Sequence, residues 1–465
     1  MAAIAIDEVV ARLGRVFADH GEQLYLVGGT VRDSLLGLAT QDVDLTTDAR
    51  PEEIKRLVAL AGPDSIFSVG ERFGTIGAVF DGLKVETTTF RSERYTPHSR
   101  KPEVEFGTSL IGDLARRDFT INAMARDIPN GALIDPFGGV RDLRERLVRA
   151  VGDPDERFTE DPLRLLRAVR FAAQLGFNLE PGTRDAIRRN ARALRDISQE
   201  RILDELNRLL LSANPGRGFR LLVDLGLAAE ILPELIALRA TSQGRRMKDV
   251  FAHTLAVLDR TPPDLVLRWS ALLHDIGKPR TVVQHGPSYH FPGHELVGEQ
   301  MTREILGRLR MDARTLDRVA RLVGLHMRAN QYEDSWTDGA VRRLIRDADE
   351  DLDLLLALST ADVTSYRPAK VQAALDRVAR LRERCRRLQE EENVKAMRSP
   401  LDGNELMAMF GRGPGPWIKE VKNYLLELVI EGKLAQDDKA TAAELARRKV
   451  EAEALGARPG VAGER

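Results

Sequence analysis

The sequence predicts an α+β chain, with a small mixed α/β unit at the N-terminus followed by an extended all-α remainder. Strand-like runs are confined to the stretch before Asp142. From Asp142 onward the apolar residues recur at helical spacing. The 465 residues are 43% hydrophobic and 30% charged, a globular mixture long enough for about three domains.

The elements follow in order. The opening Met1–Phe17 carries Asp7 and Glu8 early and no basic stretch before an apolar core. It reads as an amphipathic helix, not a signal peptide. Leu24-Tyr25-Leu26-Val27 is a short strand that runs into Gly28-Gly29. Asp42-Val43-Asp44-Leu45, Thr75–Phe80 and the β-branched Leu83–Phe90 are extended. Pro51-Glu52-Glu53-Ile54 opens a helix with proline in its first turn. Beyond Asp142, Leu163, Leu166, Val169 and Ala173 mark one helix, and Ile202, Leu206, Leu209 and Leu210 another. The rest reads as helix broken at Pro233, Pro262-Pro263, Gly286-Pro287, Pro292-Gly293 and Ser399-Pro400. This gives expected domains at 1–142, 143–240, 241–370 and 371–465, with a frayed end after Ala457.

Charge and composition exclude several classes. Lys plus Arg is 70 and Asp plus Glu is 71, so any nucleic-acid surface must be a local basic patch. Aromatic residues are only 5%, which argues against a base-stacking platform. The single cysteine, Cys385, excludes an internal disulfide and a cysteine zinc site, and fits the reducing cytoplasm. No apolar run approaches the roughly 18 residues needed to span a bilayer, so no membrane role is expected.

Two constellations carry chemistry. In the first, Gly28-Gly29-Thr30-Val31-Arg32-Asp33 joins a strand to a helix. The glycines permit close backbone approach to a ligand, the helix start offers N–H groups to an anion, and Arg32 is expected to face a phosphate. Asp42 and Asp44 share one face of a strand and repel each other without a cation. Glu86 adds a third acid where packing would not choose one. Such a set suits two Mg²⁺ ions and a triphosphate.

The second constellation is His253, His274-Asp275, His294, His326 and Asp362, four of the chain's eight histidines in a helical region. Leu272 and Leu273 precede His274-Asp275 and Ile276 follows, so the pair is expected to be partly buried and to need a partner. Imidazole with carboxylate suits a transition metal or Mg²⁺. His285 and His290 are expected at the surface. Arg367–Arg387 holds eight basic residues and two acids beside an apolar stripe. It is either a solvated face or a phosphate-contact surface.

These motifs together resemble the class II nucleotidyltransferase and poly(A) polymerase family, in particular its bacterial CCA-adding tRNA nucleotidyltransferases. The likeness runs through Leu26–Asp33, Asp42-Val43-Asp44, Val85–Arg91, Arg116–Ala123, Asp135–Gly139, Glu160–Arg164 and Arg167–Phe171. It implies metal binding by Asp42, Asp44 and Glu86, with Asp42 and Asp44 holding Mg²⁺. It implies ribose and phosphate binding by Arg117, Asp118 and Asn122, and reading of the incoming base by Glu160, Asp161 and Arg164. Asp161 and Arg164, three apart, are expected on one helix face; Arg167 and Arg170 stay outside the firm set.

The implied reaction is addition of the 3′-terminal CCA of tRNA from CTP and ATP. CC-only and A-only addition stay open, since the Arg91–Pro102 segment lacks the commoner Asp after Tyr95 and is one residue shorter between arginine and tyrosine; poly(A) addition stays open too, since Asp161 and Arg164 favour CCA over poly(A) without deciding it. The histidine series resembles the HD phosphohydrolase superfamily. Its minimal ligand set falls on His253, His274, Asp275 and Asp362, with His294 and His326 as the extra histidines of two-metal members. A hydrolase with an inactive head is the remaining alternative. The four expected domains then become a catalytic head, a base- and RNA-binding neck and body, an HD domain and a tRNA-binding tail, with Leu401-Asp402-Gly403 and Gly413–Trp417 resembling the family's tail.

Overall fold

The computed structural model describes residues 2–39, 42–68, 74–94, 103–107, 109–243, 247–364, 367–392 and 397–456. The chain divides into two compact units, Met1–Ala237 and Leu238–Arg465.

The first unit is built on a seven-stranded sheet. Its strands are β1 (Leu24–Val27), β2 (Asp42–Thr47), β3 (Ser65–Phe67), β4 (Thr75–Phe80) and β5 (Leu83–Thr89). A separate hairpin pairs β6 (Arg91–Arg94) with β7 (Glu103–Phe106), and β8 (Ala125–Asp127) and β9 (Leu133–Ile134) complete the sheet. The order is β3-β4-β5-β2-β1-β8-β9, with β2 and β5 parallel and the other pairs antiparallel. Alternation explains what each face does. Val43, Leu45, Val85, Ile76, Ala78 and Phe80 point into a core closed by Leu13 and Phe17 of the helix Ala2–Asp19 and by Ile54, Leu57 and Val58 of the helix Pro51–Leu60. Asp42, Asp44 and Glu86 are left on the opposite face, and the register sets Asp44 directly beside Glu86.

The rest of this unit is helical. Leu163–Gln174 is its central helix, buried along most of its length. One feature departs from the all-helical expectation: Leu147–Val148 pairs in parallel with Asn178–Leu179. Two-residue strands carry too little alternation to register in a sequence pattern.

The second unit contains the helices Val250–Arg260, Leu265–Leu273, His294–Arg308, Ala313–Asn330, Asp338–Ala348, Leu352–Asp362 and Pro368–Glu392. Asp249, Asp264, Asp312 and Thr337 cap four of them through side-chain acceptors. A hairpin of Val283–His285 with Ser288–His290 interrupts the helices, turning at Gly286-Pro287. His285 and His290 are exposed on it, as expected. The C-terminal helices Gly403–Phe410, Pro416–Ile430 and Lys439–Gly456 share a core of Leu401, Leu406, Val421, Leu425 and Ala442. Among the described residues no helix is long and apolar enough to cross a membrane.

Candidate active sites

The first site is an open pocket of about 810 Å³ in the N-terminal unit. Its walls include Gly28, Gly29, Arg32, Asp42, Asp44, Glu86, Arg117, Asp118, Asn122, Asp161 and Arg164, so of the residues expected around the nucleotide only Glu160 is not in its lining. Gly28 precedes the helix Gly29–Leu36 with φ 66°, and a Cβ there would lie 2.8 Å from Arg117 Nη1. The positive φ is what calls for glycine here, since the Arg117 side-chain end could shift aside.

The carboxylates sit in unequal surroundings. Asp42 is exposed, whereas Asp44 and Glu86 are half-buried. Burial raises the Asp44 pKa, Arg117 opposes this, and Glu86 and Asp42 add to the rise. Lys84 Nζ holds Glu86 Oε1 at 2.6 Å. A crowded set of acids whose buried member resists ionisation, with a lysine already drawn onto one of them, fits a cation of hard oxygen preference.

Behind the acids lies a fixed polar lattice. Asp118 accepts from the Phe119 N–H at 2.8 Å, Asn122 Nδ2 at 3.0 Å and Arg167 Nε at 2.8 Å. Burial works against its ionisation, but Arg167 and the Asn122 amide outweigh it and hold the pKa at about 2. Arg32 lines the pocket and is also anchored behind it. It is 6% exposed, with its guanidinium on Asp33 at 2.8 and 2.9 Å and on Asn122 Oδ1 at 2.7 Å. It braces Asn122, and its guanidinium lies over the Phe171 ring, 5.1 Å from the centroid.

Asp161 and Arg164 differ from expectation. They are not on one helix: Pro154–Glu160 ends at Asp161, which is extended (φ −142°, ψ 98°), and a new helix begins at Leu163. Pro162 is the cause, since a residue before proline is pushed out of the helical region. Both still face the pocket. Asp161 accepts from Arg201 Nη2 at 2.9 Å, while Arg164 is held by Glu160 at 2.6 Å and by the Arg157 and Arg116 carbonyls.

The pocket is more basic than the motifs alone indicated. Arg91, Arg116, Arg167, Arg170, Arg201 and Arg208 also line it. One signal for Arg167 and Arg170 was present in the sequence. Glu205 falls in phase with the apolar residues Ile202, Leu206 and Leu209, and a buried acid demands a cation. It accepts from Arg170 Nε at 2.7 Å. Arg201 and Arg208 carried no such signal. Of the Arg91–Pro102 segment, residues 95–102 lie outside the described residues.

The second site lies wholly in the helical unit. Two sets of three donors converge there among the described residues: His253, His274 and Asp362, and Asp275, His294 and His326. His274 follows the last turn of the helix Leu265–Leu273. Gly277 lets the helix His294–Arg308 approach, for a Cβ there would lie 2.2 Å from the His294 carbonyl oxygen. In three of the imidazoles Nδ1 meets a backbone carbonyl: Ala271 for His274, Phe291 for His294 and Val323 for His326, at 2.7 to 2.8 Å. His253 Nδ1 lies 2.7 Å from Thr364 Oγ1.

A carbonyl can only accept, so Nδ1 carries the proton and Nε2 is left as a ligand atom. Of these, His274 Nε2 faces Asp275 at 3.3 Å and His294 Nε2 faces it at 3.5 Å, while His253, whose Nδ1 also lies 3.1 Å from Lys248 Nζ, sets its Nε2 2.9 Å from Asp362. His294 Nε2 and His326 Nε2 are buried with no hydrogen bond. Burial pushes His326 down to about 4 and lowers His253, while the Asp275 and Asp362 carboxylates overcome burial to raise His274. Orphaned imidazole nitrogens beside the buried Asp275 carboxylate fit a divalent transition ion.

The basic helix resolves into two parts. Arg380, Arg384 and Arg386 are engaged by Asp334, Asp338 and Glu383 respectively. Much of the arginine-rich face is thus tied into ion pairs within this unit, which argues against a uniform phosphate-contact surface.

Comparison with known proteins gives the domains and the family. Residues 24–149 match the poly A polymerase head domain, 176–238 the probable RNA- and SrmB-binding site of polymerase A, and 244–367 the HD domain. The CCA-adding enzyme of Bacillus licheniformis is 47% identical over 218 residues, 47% of this chain and 53% of that protein, and the chain spans about half the length of several such relatives. Longer matches exist. A Geobacillus CCA-adding enzyme is 32% identical over 89% of this chain and 90% of its own. The A-adding tRNA nucleotidyltransferase of Deinococcus radiodurans is 35% identical over 90% and 94%. The crystal structure of the Bacillus stearothermophilus CCA-adding enzyme in complex with CTP superposes with a TM-score of 0.70 at 29% identity, covering 96% of this chain and 98% of that one. The chain belongs to the tRNA nucleotidyltransferase and poly(A) polymerase family, with an HD domain in its helical half.

Proposed function

We propose that this protein is a template-independent nucleotidyltransferase that builds or repairs the 3′-terminal CCA of tRNA from CTP and ATP. The observation that carries the reading is the gathering of Asp42, Asp44 and Glu86 with Asp118, Asn122, Asp161 and Arg164 around one 810 Å³ pocket. Asp42 and Asp44, with Glu86, would hold Mg²⁺, which supplies neutralisation of phosphate charge and a more acidic 3′-hydroxyl. That hydroxyl attacks the α-phosphate, a new P–O bond forms, and pyrophosphate leaves. Arg117 and the lattice of Asp118, Asn122 and Arg167 orient the ribose and phosphates.

Asp161 offers an acceptor and Arg164 offers donors. Cytosine and adenine each present an amino donor beside a ring-nitrogen acceptor, and so complement that pair. Uracil and guanine present the reverse. Glu160 keeps the Arg164 guanidinium in place. Full-length likeness extends to an A-adding relative as well as to CCA-adding ones. The decisive assay therefore offers CTP, ATP or both to tRNAs ending before CCA, after C and after CC, and sequences the products. Two cytidines and one adenosine on the shortest tRNA support the proposal. Adenosine on the CC-ended tRNA alone refutes it in favour of A-only addition.

For the helical unit we infer a metal-dependent phosphohydrolase. His253, His274, Asp275 and Asp362 hold a divalent transition ion, with His294 and His326 completing a second position. The ion would supply charge for a phosphate and an acidified water. The lone, buried Cys385 is in keeping with a cytoplasmic enzyme.

A further inference from the structure

Beside the histidine cluster lies a second cavity, of about 200 Å³, lined by Asn330, Ser359, Asp362, Thr364, Lys370 and Arg377 among others. Asp362 joins the two. One of its oxygens lies 2.9 Å from His253 Nε2, and the other accepts from Asn330 Nδ2 at 2.6 Å. Three features distinguish this cavity from a packing gap. Ser359 is 1% exposed and its Oγ has no hydrogen-bond partner. A buried hydroxyl left this way costs free energy that a ligand can recover.

Lys370 and Arg377 lie two turns apart on the helix Pro368–Glu392 and reach the same cavity. Neither has an acidic partner among the described residues, whereas Arg380, Arg384 and Arg386 on the same helix are each paired. The third feature is size. The volume is below the range of about 300–1,000 Å³ that encloses a whole drug-sized ligand, so it suits one phosphate-sized group.

We propose that Lys370, Arg377 and the Ser359 hydroxyl form an anion subsite for a second phosphate on the substrate of the histidine site, distinct from the phosphate that is hydrolysed. The proposal rests on the phosphohydrolase reading and names its substrate class: a ribonucleotide or RNA end carrying at least two phosphates. In the reaction the water oxygen bonds to the scissile phosphorus, the P–O ester bond breaks, and the leaving ribose oxygen takes the water's proton. The second phosphate stays intact and fixes the register.

The test compares adenosine 3′-phosphate, adenosine 3′,5′-bisphosphate and a short oligoribonucleotide ending in a 3′-phosphate, each with Mn²⁺ or Ni²⁺. The full-length parent is measured beside a Lys370→Ala/Arg377→Ala variant. The parent should show a kcat/KM at least about tenfold higher for the bisphosphate than for the monophosphate, the scale of one charge-assisted contact. In the double variant that ratio should fall to near one. An equal ratio in the parent, or a preference that survives in the variant, overturns the proposal. A larger preference for the oligoribonucleotide, also lost in the variant, assigns the second phosphate to an RNA backbone. Equal preference assigns it to a free nucleotide.

Hydrogen exchange across residues 359–378 of the metal-free protein, with and without the bisphosphate, gives a readout independent of turnover. If the parent hydrolyses nothing yet shows protection that the variant loses, the subsite stands and the hydrolase reading fails. Absence of both turnover and protection in the parent overturns the subsite.

Discussion

The two metal-donor regions are built on opposite plans. In the helical unit the donors have converged before any ion is considered: backbone carbonyls fix three imidazole tautomers, and Nε2 atoms point at Asp275 and Asp362. In the head the acids stand on adjacent strands, one exposed, one resisting ionisation and one drawn toward Lys84. The difference teaches how rigidity is distributed. The head keeps its rigid lattice, Asp118-Asn122-Arg32-Arg167, for the ribose and phosphate side. Its metal side is open, as a reaction needs when metal and triphosphate arrive together. The helical site gathers its donors in advance, so an ion bound there would meet a preset geometry.

The comparison breaks most visibly at the head acids. Asp42→Ala or Asp44→Ala should lower nucleotide addition by a factor of about 10³ or more, since a lost metal position is worth several kcal/mol at 1.4 kcal/mol per tenfold. Primer extension in Mg²⁺ measures this, with tRNA binding followed in parallel to show that the fold persists. Addition at the parent rate by either variant would remove the two-metal assignment.

A smaller effect is expected where the head reads the base. Asp161→Ala or Arg164→Ala should relax the exclusion of UTP and GTP by about 1–3 kcal/mol each, more than it slows addition overall. Competition between nucleotides on one tRNA gives the ratio, and unchanged exclusion would contradict base reading by these side chains.

The lattice predicts a pH signature. The Asp118 pKa falls from 3.8 in an unfolded chain to about 2 in the fold. A depressed carboxylate contributes stability that is fully present above the unfolded value and is lost as the pH falls through the folded one. The contribution is about 2 kcal/mol. The melting-temperature gap between the parent and Asp118→Asn should therefore be constant above about pH 4 and shrink between pH 4 and pH 2. A gap that widens on acidification would contradict the lattice.

Much of both regions was legible in the sequence because the chemistry there is costly elsewhere. Two acids on one strand face, an acid inside Leu83–Thr89, and histidines in helical phase are poor choices for packing, and they announced the sites. What stayed illegible depends on backbone geometry or on partners distant in sequence. The spacing of Asp161 and Arg164 suggested one helix, yet Pro162 splits it in two. The contact of Arg32 with Asn122, 90 residues away, carries no local mark. Arg201 meets Asp161 across 40 residues and carries none either. The strand pair at Leu147 and Asn178 is too short to impose a period.

The central claim is that one chain holds two chemically independent metal sites, each contained within its own compact unit. It is tested most directly by the His274→Ala/Asp275→Ala variant, assayed for CCA addition in Mg²⁺ and followed by thermal melting. The account predicts loss of transition-metal-dependent phosphohydrolysis, with nucleotide addition within about twofold of the parent, inside the scatter of a minor perturbation. A variant that melts like the parent and still loses nucleotide addition would contradict it, for the two sites would then be functionally coupled.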